Sequence, residues 1–244
     1  MSFWKFTNRT DDSEVVELRI EGDIVDDSDM WFYEWIEEPA TSPNSFRQAL
    51  GEHEGKELHV IIDTYGGSVF AAASIYSDLR ARNGKTVGIV QSKAMSAGTV
   101  ILMGCDEVRL SPTAILMIHD PITAMHGDIG DFEKALEILN AVKDSILNAY
   151  VEKTGLPRAR LSAMMSNETW FSAYEAVANG FADSVMTDEL EEATAVHNGF
   201  SLSRMPVLNS MNKTTERMGE YFALKKEREQ AKELELMDLW LETL

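Results

Sequence analysis

Apolar and polar positions fall into short alternating runs and helical stripes that succeed one another along the chain. Residues 14–22 alternate and end at Gly22, which reads as a first strand closed by a glycine turn. Residues 23–38 begin acidic and then place Trp31, Trp35 and Ile36 on one side of a helix, with Phe32 nearby, for core or subunit-interface packing. A turn between Pro39 and Pro43 leads into a short helix over 45–50. Residues 57–64 form an apolar strand that ends in Tyr65, Gly66, Gly67 and Ser68, and 69–82 carry Ala72, Ile75, Tyr76 and Leu79 at helical spacing. The β-branched run 86–90 suits a buried strand, while 98–105 is apolar all round, as a short helix in mid-domain is.

Strands over 107–110 and 115–118 follow, and the second delivers His119 at its end, just before Asp120 and Pro121. A helical period then runs from Asp128 to about Thr154, with Phe132, Leu136, Leu139, Val142, Ile146 and Tyr150 on one face. Its length predicts a protruding arm that packs against other subunits. A short helix over 158–165 and a loop over 166–171 come next. Ser172 and Glu175 then form a capping box that opens a helix to 178, ahead of a strand-like 182–185. Repeated strand-then-helix units with short connections imply an α/β domain whose sheet is covered by helices. Past Met186 the chain turns acidic and polar, and 214–244 predict a charged helix with Leu234, Met237, Leu241 and Leu244 at heptad-like spacing. The expected organisation is an N-terminal segment 1–13, a domain over 14–190, a polar linker 191–213 and a helical extension 214–244.

Composition narrows the classes of partner. The 244 residues are 44% hydrophobic without a run of roughly 18 apolar residues, so no membrane partner is expected. The formal charge of −19 argues against nucleic acid. A single cysteine, Cys105, and the lack of an export-type apolar run at the N-terminus point to the cytoplasm. The five histidines lack metal-ligand spacing, and neither a Walker loop nor Gly-x-Gly-x-x-Gly occurs, so no metal, nucleotide or other cofactor is expected.

The chemistry centres on Ser96, which sits among small residues between an apolar strand and an apolar helix. There its hydroxyl stands beside the free N–H groups of a helix start, where an oxyanion can be stabilised. Read alone, Ser96 fits an N-cap better than a nucleophile, since serine caps are common. His119, leaving a buried strand with its backbone fixed by the nearby proline, can act as a base, although a lone histidine is more often structural. Glu168 stands just before Trp170, where a carboxylate can orient His119 or simply be solvated. The two glycines at the end of the 57–64 strand allow positive φ and close backbone approach.

Taken together, Tyr65-Gly66-Gly67-Ser68, Ala94-Met95-Ser96-Ala97-Gly98, Met117-Ile118-His119-Asp120-Pro121 and Glu168-Thr169-Trp170-Phe171-Ser172-Ala173-Tyr174-Glu175-Ala176 resemble the Clp protease proteolytic subunit family, in order and spacing from about Val15 to Val185. Within it the segment at Glu168 is most similar to the Clp-like head maturation (prohead) proteases of phages and prophages. The resemblance implies an α/β superhelix of repeated ββα units of the Clp/crotonase type, assembly into heptameric or stacked rings, and serine peptidase activity in the cytoplasm. It implies Ser96 as nucleophile, His119 as general base and Glu168 as orienting carboxylate, with the neighbouring Asn167 as fallback. The backbone N–H groups of Gly67 and Ala97 fall at the oxyanion hole, and Gly66, Gly67 and Ser68 at the substrate strand. Tyr65 departs from the family's usual proline, which puts the rigidity of this loop in question. The main expectation is an ATP-independent endopeptidase that trims capsid or scaffold proteins during phage head maturation. The alternatives are a Clp proteolytic subunit working with an AAA+ unfoldase, and an inactive ring-forming binding protein.

Overall fold

Among the described residues eight strands form one sheet, and its interior order places the longest apolar strands at the centre. The structure is a computed structural model that describes residues 15–186 apart from positions 52 and 54. The expected N-terminal segment, linker and helical extension lie outside these residues. In chain order the elements are β1 (Val15–Ile24), α1 (Met30–Ile36), β2 (Ala40–Thr41), α2 (Pro43–Gly51), β3 (Glu57–Gly67), α3 (Val69–Ala81), β4 (Thr86–Met95) and α4 (Ala97–Leu102). They continue as β5 (Glu107–Leu110), β6 (Ile115–Ile118), α5 (Ile129–Thr154), α6 (Arg158–Ser166), β7 (Thr169–Ser172), α7 (Ala173–Ala178) and β8 (Ser184–Val185). The sheet runs β2-β1-β3-β4-β5-β8, with β6 pairing both β4 and β7. Every pairing is parallel except β6 with β7. The mixed α/β architecture is the one the sequence predicts.

Burial explains why the central strands read as apolar runs. Val60, Ile62, Val87, Val90, Val108 and Leu110 are completely buried, because helices cover the sheet as parallel strands require. α4 sits within the core, with every residue from Ala97 to Leu102 buried, and Ile75 and Leu79 of α3 pack into the same cluster. Cys105 belongs to it too, and burial pushes its thiol up to about 12, so it is an inert core residue.

Three elements differ from expectation. The helix expected over 23–38 is only α1, because β1 continues past Gly22 to Ile24, with Asp23 donating to the Pro39 carbonyl. β4 runs through the polar Gln91, Ser92 and Lys93 to the residue before Ser96, since its second half has a new neighbour, with Lys93, Ala94 and Met95 opposite Ile115, Leu116 and Met117 of β6. The loop expected over 166–171 contains β7, which pairs antiparallel with β6 from Ile115↔Ser172 to Ile118↔Thr169.

α5 is divided along its length. Ile146, Leu147, Ala149 and Tyr150 are buried in its C-terminal half, whereas Ile129, Phe132, Leu136 and Ile138 are 49–80% exposed in the N-terminal half. The predicted apolar face is therefore continuous, but only its second half meets the body of the domain. A capping box at Asp128 and Asp131 opens the helix and Gly155, at φ 68°, closes it.

Candidate active site

The end of β4 and the start of α4 meet at Ser96 in a strained turn. Its φ of 53° and ψ of −122° lie outside the regions that an L-residue with a side chain ordinarily adopts. Three hydrogen bonds hold it there: the Ser96 N–H donates to the Met117 carbonyl at 2.8 Å, and its own carbonyl accepts from both the Thr99 N–H and the Thr99 hydroxyl. The Thr99 hydroxyl is fixed in turn by Tyr150, 2.7 Å away and fully buried. Burial raises the Tyr150 phenol above its ordinary range, so it stays neutral and serves as a hydrogen-bonding strut.

Ser96 occupies the N-cap position of α4 but makes no capping bond with its side chain. The hydroxyl instead lies 2.8 Å from Nε2 of His119. With the ring proton on Nδ1, Ser96 donates to Nε2, the polarity needed for proton transfer from hydroxyl to imidazole. Ser96 therefore holds the N-cap position without acting as a side-chain cap, its hydroxyl being engaged by His119.

The β6–β7 pairing brings the main chain of Glu168 beside that of His119. Ile118 and Thr169 are the last antiparallel pair, so the next residues outward on the two strands are His119 and Glu168. Glu168 has φ 49°, donates its N–H to the Met165 carbonyl, and accepts from the indole of Trp170 at 3.3 Å through Oε1. Asn167, the fallback, is exposed at the end of α6, with its N–H on the Ala163 carbonyl.

A second network ties this end of the site to α5. Lys143 Nζ stands 2.7 Å from Asp120 Oδ1 and donates to Ser166 Oγ at 2.9 Å, while Ser166 donates to Asp120 Oδ2 at 2.9 Å. The Asp120 N–H also donates to the Met165 carbonyl. These bonds join the residue after His119 to the turn before Glu168. Sequence reasoning missed this cluster, since Lys143 lies 23 positions from each partner. Replacing Lys143 by methionine is expected to lower the thermal midpoint by about 2–4 °C, by unpairing a partly buried carboxylate, with arginine at this position recovering most of the loss. Differential scanning calorimetry of the three proteins reads this directly.

The glycines arrive from β3. Gly66 and Gly67 have φ of 112° and 144°, and Gly66 is so close to the nucleophile that a Cβ there would lie 2.8 Å from Ser96 Cβ. At Gly67 a Cβ would fall 2.1 Å from the Ile24 carbonyl oxygen. Tyr65 through Gly67, expected as a loop, thus extend β3 beside β1. Ser68 caps α3, accepting from the Ala71 N–H and donating to Asp26. Ala97 is the first residue of α4, so its N–H has no acceptor within that helix and opens beside Gly66. Ser96 and His119 are neither fully buried nor fully exposed.

A serine hydroxyl in a strained strand-to-helix turn, bonded to an imidazole and flanked by glycine backbone and a helix start, defines a serine hydrolase site. The family model described as Clp protease matches residues 46–189, which contain all of these groups. The chain is 32% identical to an ATP-dependent Clp protease proteolytic subunit of Cycas taitungensis over 145 residues, 58% of this chain and 74% of the relative. It is 34% identical to the subunit of that name from Citrus sinensis over 137 residues, 55% of this chain and 70% of the relative. The Staurastrum punctulatum subunit is 31% identical over 141 residues, 57% and 70% of the two chains. The chain belongs to the Clp protease family and is a serine-type peptidase. Among the described residues no helix is long and apolar enough to cross a membrane.

Proposed function

We propose that the chain is a proteolytic subunit in which Ser96 attacks the peptide carbonyl, His119 carries the proton and Glu168 orients the imidazole. The Ser96–His119 hydrogen bond at the strained turn carries this reading. His119 takes the Ser96 proton as the tetrahedral intermediate forms, returns it to the leaving amine, and then activates the water that releases the acyl group. The N–H groups of Gly67 and Ala97 receive the developing oxyanion, and Gly66, Gly67 and Ser68 bind the substrate as an added strand. No cofactor enters these steps.

We assign residues 14–190 to the peptidase domain, with 191–244 as an extension beyond it. The chain assembles into rings and takes polypeptides from an ATP-driven unfoldase, a reading supported by the words ATP-dependent and proteolytic subunit in the names of its relatives. The exposed apolar half of α5 supports assembly between copies. A narrower reading, capsid or scaffold trimming without an unfoldase, rests on the likeness of the segment from Glu168 to Ala176 to head maturation proteases.

Incubation of the full chain with a short fluorogenic peptide, with a stable folded protein and with a phage capsid or scaffold protein separates the two readings. The unfoldase reading expects peptide cleavage alone, and folded-protein cleavage only after an AAA+ unfoldase and ATP are added. Cleavage of capsid or scaffold protein by the chain alone would overturn it in favour of head maturation.

A further inference from the structure

The end of β3 that carries the glycines is irregular on both sides. Against β1, the pairing passes from Glu21↔Asp63 to Asp23↔Gly66. Against β4, it passes from Ile62↔Val90 to Thr64↔Ala94, so β4 bulges through Gln91, Ser92 and Lys93. The ladder is therefore interrupted between Asp63 and Gly66, just before the glycines that lie beside Ser96, and Tyr65 provides none of the stiffness of a proline ring.

Side chains supply the missing restraint on the two faces of the strand. On the buried face, the Thr64 hydroxyl donates to the Gly22 carbonyl and accepts from the Gly66 N–H at 2.9 Å. On the open face, the bulge aims Lys93 back across β3. Its ammonium pairs with Asp63 at 2.5 Å and stands 4.5 Å from the centroid of the Tyr65 ring. Only 21% of the Lys93 side chain is exposed, so this cation is less screened than an ordinary surface ion pair.

We propose that Asp63, Lys93 and Tyr65 form a clamp, a cation gripping both residues that flank Thr64, which fixes the β3 end so that the Gly67 N–H meets the oxyanion beside Ser96. This rests on the peptidase reading of Ser96. Lys93 and Tyr65 are positioning residues, acting through the Gly66–Gly67 backbone. Because an oxyanion exists only in the transition state, loosening the clamp slows the chemical step and leaves ground-state binding of the peptide largely intact.

The test compares wild type, Lys93→Met, Lys93→Arg and Tyr65→Phe of the full chain. Each is measured by steady-state cleavage of a fluorogenic peptide and by the rate of Ser96 labelling with a fluorophosphonate. Lys93→Met is expected to lower kcat and the labelling rate about 10- to 100-fold, with KM within about twofold. Lys93→Arg, which keeps the cation, and Tyr65→Phe, which keeps the ring, are expected to return to within about threefold. Unchanged kcat and labelling in Lys93→Met would overturn the clamp while leaving the peptidase intact. A loss that Lys93→Arg does not rescue, or a loss confined to KM, would overturn it as well. An unlabelled Ser96 in wild type would instead sink the peptidase reading and the clamp with it.

Discussion

Replacing Ser96 by alanine is expected to lower peptide hydrolysis by at least about 10³-fold while the protein remains folded. The size of the loss follows from the removal of the only group in the proposed mechanism that forms a bond to the substrate. The fold survives because the Ser96 side chain does no capping work: its hydroxyl engages His119, while the turn is held by main-chain bonds to Met117 and Thr99. Loss of one partly exposed hydrogen bond costs about 1 kcal/mol. Steady-state cleavage of a fluorogenic peptide, with circular dichroism to verify the fold, measures both halves of the expectation. An alanine variant retaining more than about a tenth of wild-type turnover would remove Ser96 from the mechanism.

Gly66→Ala is expected to be the next most damaging change, through geometry alone. A Cβ at φ 112° is strained by about 1–3 kcal/mol wherever it stands, and here it would also press on Ser96 Cβ, on the Met95 carbonyl at 2.9 Å and on the Ala97 nitrogen at 3.1 Å. None of these is the far end of a flexible side chain. The strand must retreat from α4, and a displacement near 1 Å between the oxyanion donors and the nucleophile costs about 100-fold in kcat/KM. Gly67→Ala meets the Ile24 carbonyl at 2.1 Å and so breaks the β1–β3 register, which is expected to show as lost thermal stability before lost activity. Measuring kcat/KM and the thermal midpoint together distinguishes the two glycines. A fully active Gly66→Ala protein would show that the close approach to Ser96 is not needed.

The strand-helix order was legible because most elements carry their own period. β5, β6 and α5 stand where alternation, apolar runs and helical spacing place them, and the capping box of Ser172 and Glu175 marks α7. What escaped depends on neighbours far along the chain. β7 has four residues and little pattern of its own, and it becomes a strand by pairing with β6 across the whole of α5. The polar end of β4 looks like a loop until β6 supplies its second ladder.

At the site, the kinds of residue were legible and their conformations were not. Ser96 and His119 stood out at strand ends, and the family resemblance implied their roles, but no local pattern distinguishes a capping serine from one turned toward an imidazole. That outcome is decided by a positive φ at Ser96 that Met117 and Thr99 enforce. The Asp63–Lys93–Tyr65 contacts were invisible for a similar reason, because a bulge in β4 aims Lys93.

The central claim is that Ser96 is activated by His119, and intact-mass measurement with a fluorophosphonate probe tests it most directly. Wild type, Ser96→Ala and His119→Ala would each be incubated with the probe under identical conditions. The account predicts one adduct per chain on wild type, mapped to Ser96 by peptide digestion, none on Ser96→Ala, and labelling of His119→Ala slowed by at least about 100-fold. An adduct on another residue, or equal labelling of wild type and His119→Ala, would contradict it.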